Sequence, residues 1–482
     1  MANIQPQVRT RANRRTSNPA DSNSVTRHQF VIDGDGTASD YAERLLTLLD
    51  LPVRRTHHTT DLHPAIAWAR SGAMALTGRR TGLPQMCPFP LASCVEGALV
   101  AFAAVAGLTR DALPSVALLS ERAVLSGLRR NGAVSAGGAT RLLRAADGWV
   151  AVSMARDADW ELAPAWTERT DTTTWSQLTA VLAQREMDDW VERGRLLGLA
   201  VAAARPPSAV TVPAPWYVSV VEAPPSRDRI TREPLVLDLS ALWAGPLCAH
   251  LLQSAGARVI KVESLQRPDG GRLGSSDFFD LLNGGKACVA LDFETAAGID
   301  LLRQLIDQAD IVIEASRPRA LRQLGIDAQS LVAERPGLTW LSISGYGWAE
   351  PQGNWIAYGD DAGVAAGLTY TLLGLAGEPL FCGDAIADPI TGVHAALLAL
   401  TGHRNGGGRL LALSLHGVLD HCIRFSHPAE AEELRDRWRN WQQVARSAGT
   451  PDRMPEGRRA PEPARTLGAD TSAVLADLGI PC

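Results

Sequence analysis

The residue best placed to act as a nucleophile is Asp388. It stands in D-P-I-T-G, just before an apolar Ala/Leu helix. A carboxylate there can attack an acyl carbonyl, or it can cap the helix by accepting free backbone N–H groups. Asp360, Asp361 and Asp384 are nearby acidic alternatives, and His394 on the following helix reads as packed. A second set surrounds Ala244-Gly245-Pro246, which follows the strand-like run LVLDLS. G-x-G-x-x-G is absent there, yet a helix N-terminus after a strand can receive phosphate. Glu263 ends the next strand, where an acid either binds a ribose hydroxyl or merely closes a strand. Arg267, Arg272, Lys286, Arg317 and Arg322 lie in loops or helix starts of the same region. Converging cations suit a ligand with several phosphates, and each alone also reads as a solvated charge. Only two lysines occur, Lys261 and Lys286, in a chain whose other basic residues are arginines. That is chance, or it marks roles arginine cannot fill.

These residues need positioning elements, and the hydrophobic periodicity supplies them. From Leu235 the chain reads strand, helix, strand: LVLDLS, AGPLCAHLLQSAG, ARVIKVE. CVALDFE, GIDLLRQLIDQA, DIVIEA and LTWLSISGYG continue the alternation. Apolar runs separated by helices predict a buried parallel sheet in a doubly wound, Rossmann-like α/β domain over 234–425. Before it, YAERLLTLLDL and LASCVEGALVAFAAVAGL read as helices. TRLLRAADGWVAVSMA reads as a hairpin turning at Asp147-Gly148, and WSQLTAVLAQREMDDWVERGRLLGLAVAAA as one or two helices. No catalytic constellation is evident in 38–205. Residues 1–37 form a basic tail expected to be disordered. Residues 206–233 are Pro-rich and read as an extended linker. Residues 426–482 hold a polar helix, a Pro/Arg-rich loop and a short terminal helix. Gly406 to Gly408 form either a mobile loop or a tight turn.

With 482 residues the chain has room for two or three domains, and 46% hydrophobic with 21% charged residues is ordinary for a globular protein. A net charge of -5 gives no footprint for nucleic acid. No apolar run reaches the roughly 18 residues of a membrane span, and no signal pattern opens the chain, so a cytoplasmic protein is expected. Cys87, Cys94, Cys248, Cys288, Cys382, Cys422 and Cys482 are scattered without a C-x-x-C, which predicts reduced thiols and no metal site.

An internal echo runs through the chain. Gly72 and Gly97 are 25 residues apart, as are Gly367 and Gly392, with an apolar helix at the second glycine of each pair. In this register Asp388 falls opposite Ser93.

The ordered motifs V-L-D-L-S, W-A-G-P, G-A-R-V-I-K-V-E-S, L-N-G-G-K-A-C-V-A-L-D-F, I-E-A-S-R-P-R, L-S-I-S-G-Y-G and D-P-I-T-G resemble the family III CoA-transferases. This group includes formyl-CoA and carnitine CoA-transferases and the related α-methylacyl-CoA racemases. The resemblance implies that Asp388 is the nucleophile of an aspartyl anhydride and aspartyl-CoA mechanism. It implies coenzyme A and acyl-CoA as substrates with no permanently bound cofactor, and a free carboxylic acid as acceptor. It further implies a homodimer, in the interlocked form of the family. By position, Ala244, Gly245, Pro246, Glu263, Lys286, Arg317 and Arg322 would face coenzyme A. Gly406 to Gly408 match a Gly-rich segment of the family, where a glycine loop shields the anhydride. Residues 38–205 resemble the latter half of such a protein, a smaller α+β domain, so the parts stand in rearranged order, as if two members were fused. The racemases carry G-H-D where this chain reads Y-G-D-D (Tyr358 to Asp361), which disfavours an acyl-CoA racemase or isomerase. A non-catalytic CoA-binding subunit is the remaining alternative.

Overall fold

Residues 29–208, 215–226, 230, 233–449 and 453–481 are described by a computed structural model. The chain opens on a small parallel unit. β1 (Phe30–Asp35) and β2 (Val53–Thr60) pair in parallel, and α1 (Thr37–Leu48) connects them. β1 lies inside the stretch expected to be a disordered tail. Its alternation places Phe30 and Ile32 against the core beneath α1, and that burial fixes it. Residues 1–28 of that tail lie outside the described residues.

α2 (Leu91–Ala106) follows, with twelve of its sixteen residues buried. β3 (Thr140–Arg144) and β4 (Trp149–Ser153) form the hairpin read from Asp147-Gly148. β5 (Ala200–Ala203) pairs antiparallel with β4. The A-V-A-A segment was expected to be helical. All four of its residues are buried in the three-stranded sheet, and that burial overrides alanine's helical preference. The preceding helix run divides into Trp175–Leu182 and Met187–Leu197.

The Pro-rich stretch is more than a linker. β6 (Tyr217–Glu222) runs antiparallel along the edge of the main sheet. Then come β7 (Leu235–Asp238), α3 (Ala244–Ser254), β8 (Arg258–Ser264), β9 (Ala287–Leu291), β10 (Ile311–Glu314), β11 (Thr339–Ser344), α4 (Ala387–Arg404) and β12 (Arg409–Ser414). The seven strands lie in the order β6-β12-β11-β10-β7-β8-β9, and every neighbouring pair except β6 with β12 is parallel. β8 and β9 therefore lie on one side of β7, and β10 to β12 on the other.

α4 carries sixteen buried residues out of eighteen, the signature of a central helix. It packs on α3 and on α2. One continuous core holds Tyr41, Leu99 and Phe102 of the first half with Leu247, Leu251, Ile390 and Leu397 of the second. Two glycines set the helix spacing. A Cβ on Gly97 would sit 2.3 Å from the Ala38 carbonyl oxygen, and one on Gly392 would sit 2.7 Å from that of Ala244. Each glycine thus lets its helix lie against the helix of a β-α-β unit, α1 in one case and α3 in the other.

The C-terminal segment returns over both halves. Arg458 pairs with Glu121. At β9 the Cys288 N–H donates to Asp470 at 2.9 Å and the Ala290 N–H to Thr471 at 3.1 Å. Among the described residues no single helix is long and apolar enough to cross a membrane.

Candidate active site

Asp388 is the second residue of α4, and Ile386 occupies the N-cap position without a side-chain cap. Its carboxylate is therefore not consumed in capping. The turn that delivers it is strained: Ala385 has φ 43°, a left-handed conformation unfavourable for a residue with a Cβ. Leu242, on the opposite wall, has φ 69°. Such residues gather where surrounding structure holds a functional geometry. The backbone of Gly359 comes so near that a Cβ there would lie 2.2 Å from Asp388 Oδ2. The Gly359 N–H donates to the same carboxylate.

Asp388 lines a cavity of about 310 Å³. The cavity lies beyond the carboxyl ends of β7, β10, β11 and β12, walled by Leu242, Ser316, Ser344 and Leu415 among others. It straddles the gap between β7 and β10, where the strand order reverses; open α/β sheets bind ligands at such gaps. Ala244 and Gly245 bring the N-terminus of α3 to the wall, a place for negative charge. Arg317 lies there too, with no ion-pair partner among the described residues. Four residues named from sequence, Asp388, Ala244, Gly245 and Arg317, thus meet at one cavity.

The others go elsewhere. Pro246 is buried in α3, and its carbonyl accepts from Lys286 at 3.0 Å. Lys286 is also fully buried. Its other two donors go to Asp238 at 2.8 Å and Asn283 at 3.1 Å, so no N–H remains for a phosphate. The expected coenzyme contact at Lys286 does not hold in this geometry. Glu263 is likewise occupied, by Arg272 and by the Asp269 N–H at 2.8 Å. Arg322 is exposed, hydrogen bonded to the Pro318 carbonyl, and does not line the cavity. Gly406 to Gly408 precede β12 and so sit at the amino end of the strands, away from the cavity. There a Cβ on Gly407 would lie 1.9 Å from the Gly337 carbonyl, so the segment is a tight turn.

The two lysines do serve the site, from beneath. Lys286 neutralises Asp238, whose Oδ1 accepts the Ser240 N–H at 3.0 Å. Lys261 bonds the Ser240 carbonyl at 2.9 Å and Asp269 at 2.8 Å. Asp269 in turn accepts the Leu242 N–H at 2.9 Å. The compact ammonium groups fix the turn that walls the cavity. Burial alone would raise the Asp238 carboxyl, but Lys286 and Lys261 hold it below the usual carboxylate range.

The electrostatics around Asp388 favour a poised carboxyl. Burial pushes it up to about 7; Asp360 and Asp384 oppose its ionisation, and Arg122 and the Gly359 N–H favour it. Asp360 is pushed to about 6, chiefly by burial and then by Asp384. Asp361 reaches about 8 through burial, although the Tyr358 N–H at 2.8 Å and the Ser153 hydroxyl at 3.3 Å favour its ionised form. A carboxyl close to neutrality in a half-closed cavity can act as a nucleophile in its ionised fraction.

Two residues of the site come from 38–205, where the sequence showed no constellation. Arg156 lines the cavity beside Tyr358. Arg122 clasps Asp384 with two donors, Nε at 2.9 Å, and its guanidinium lies 5.5 Å from the centre of the Trp243 ring. Neither lies in a recognisable motif. Among the described residues, no group of three metal-ligating side chains occurs.

Residues 233–447 match the model of CoA-transferase family III. The chain is 33% identical over 199 residues to the formyl-CoA:oxalate CoA-transferase of Escherichia coli O6:H1, a match covering 39% of this chain and 48% of the relative. The enzyme of that name from Shigella boydii serotype 18 matches with the same identity and coverage. The chain thus spans about half the length of the curated relatives it matches. A solved CaiB/BaiF family protein from Brucella suis aligns at TM-score 0.33 with 26% identity, covering 42% of this chain and 56% of that one.

Proposed function

We propose that this protein moves coenzyme A from an acyl-CoA to a free carboxylic acid, with Asp388 as the nucleophile. The observation that carries the reading is the Asp388 carboxylate, not used as a helix cap and without an ion-pair partner among the described residues, at a cavity at the gap between β7 and β10. The strand order supports a doubly wound domain whose crevice takes the coenzyme there. The α3 N-terminus and Arg317 are its anion-facing groups.

The chemistry balances. Asp388 attacks the donor thioester carbonyl, the C–S bond breaks, and coenzyme A leaves as thiolate, giving an acyl-aspartyl anhydride. The thiolate attacks the aspartyl carbonyl and releases the donor as its carboxylate, leaving an aspartyl-CoA thioester. The acceptor carboxylate attacks that thioester, and the freed thiolate then attacks the acceptor acyl carbonyl. New acyl-CoA departs and Asp388 is restored. Water must be kept from the anhydride, and Trp355, Tyr358 and Arg156 narrow the cavity for that purpose. The approach of Arg122 and Arg156 from the first half supports a site completed within one chain, even if two chains associate. No histidine lines the cavity, which leaves α-proton exchange without an opposing base.

The test is peptide mass spectrometry after incubation with a panel of acyl-CoA donors and trapping by hydroxylamine. A hydroxamate at Asp388 is expected, absent in Asp388→Ala. No adduct with any donor, despite coenzyme binding, would replace this reading with that of a non-catalytic CoA-binding subunit.

A further inference from the structure

Four acids crowd the entry of α4. Asp388 lies in its first turn, Asp384 on its approach, and Asp360 and Asp361 on the facing helix Gly359–Ala365. The Asp360 carboxylate accepts the Ala385 N–H at 2.8 Å, which ties the two segments together. Tyr358 and Arg156 face the group from the cavity side, and Arg317 from the end of β10. Arg156 is paired with Asp159. The cation set among the acids themselves is Arg122, from the short helix Glu121–Ser126 in the first half of the chain. Its partner Asp384 is fully buried.

We propose that Arg122 is a positioning residue for Asp388: through its paired grip on Asp384 it offsets the surrounding acids and sets how readily Asp388 ionises for acyl transfer. This rests on the nucleophile reading given above. It gives the first half of the chain a definite part in the chemistry, that of supplying a counter-charge among the acids at the entry of α4. Three observations support it. Arg122 reaches Asp384 with two donors. The ring of Trp243, beside the cavity wall, supports its guanidinium at 5.5 Å. Arg122 is also the largest influence favouring the ionised form of Asp388.

A charge cycle tests this. The full-length protein and its R122Q, D384N, R122Q/D384N and R122K variants are labelled with a water-soluble carbodiimide and glycine ethyl ester across pH 5 to 9. Labelling at the Asp388 peptide follows the protonated fraction. R122Q should raise the midpoint by about one unit, and thereby raise labelling about tenfold well above it. D384N should lower the midpoint, because Arg122 is then left facing Asp388. The double variant removes both charges of the pair together and should return close to the parent. R122K should stay near the parent. Midpoints that do not move, or that move in the same direction in R122Q and D384N, overturn the proposal. A merely structural Arg122 would not produce opposite signs. The hydroxylamine adduct is read in parallel. An adduct with a flat cycle ends this proposal and leaves the transferase reading standing. A working cycle without an adduct supports the charge-setting role and ends the transferase reading.

Discussion

The molecule contains the same small arrangement twice, with different outcomes. β1-α1-β2 and β7-α3-β8 are both parallel β-α-β units. Each is covered by a long apolar helix, α2 or α4, that closes on the connecting helix through a glycine, Gly97 or Gly392. The first unit stops at two strands, and its carboxylates sit on the surface. There Asp33 accepts from Thr56 at 2.7 Å and His58 at 3.0 Å. The second extends to a seven-stranded sheet and buries its carboxylates on lysines. Where α4 presents Asp388 to a cavity, α2 presents Ser93, buried in the core with no hydrogen-bond partner for its hydroxyl among the described residues. A helix over a β-α-β unit is thus insufficient for a site. The added strands open the crevice, and the buried ammonium groups hold its wall.

The largest effect should come from removing what only the second unit has. Asp388→Asn should lower the acyl-transfer rate by at least about a thousandfold with the fold intact, measured as turnover beside circular dichroism. Next, Lys286→Met should cost about 3–5 kcal/mol of stability in denaturant titration, because Asp238 loses the ammonium paired with it in the core. A cost below 1 kcal/mol would mean that the buried pair is not what holds the cavity turn. Third, Ser93→Asp should place a charge in the closed core of the first unit, lowering stability by about 2–3 kcal/mol and giving no acyl adduct at position 93. An adduct there would show that the first unit retains a working site.

The smallest effect concerns pH. The Asp388 carboxyl sits at about 7 in the fold against 3.8 in the free side chain. The fold therefore keeps a proton that the unfolded chain gives up, and stability should decline as pH rises from about 4 to about 7 and then level off. Acyl transfer should rise over the upper part of the same interval as the carboxylate forms. Asp388→Asn should remove this part of the decline and be the more stable protein at pH 8, by up to a few degrees in thermal melting.

Much of the second half was legible because its signals are local. Apolar runs such as LVLD and IVIE fix strands, whereas D-P-I-T-G before an apolar helix left Asp388 open between cap and nucleophile until the family resemblance singled it out. What stayed hidden depends on distance in space. Arg122 meets Asp384 across 262 positions, and no spacing rule spans that. β5 and β6 are short segments whose identity comes from the strands they join. Lys286 was noticed for its rarity, but its loop position suggested an open site. Only the packing of Asp238 and Asn283 around it reveals an interior ion. The strand Phe30–Asp35 was lost to a polar neighbourhood, since only Phe30 and Ile32 of its side chains turn inward.

The burial of both lysines has a consequence for the chemistry the protein would share a solution with. Acyl-CoA thioesters acylate exposed lysine amines without any enzyme. Here Lys261 and Lys286 are 1% and 2% exposed, so no lysine amine faces solvent. A protein built this way can stand in a concentrated thioester pool without its lysines being acylated. Amine-directed reagents would find no lysine on the folded molecule to react with, and lysine labelling becomes a direct report of unfolding.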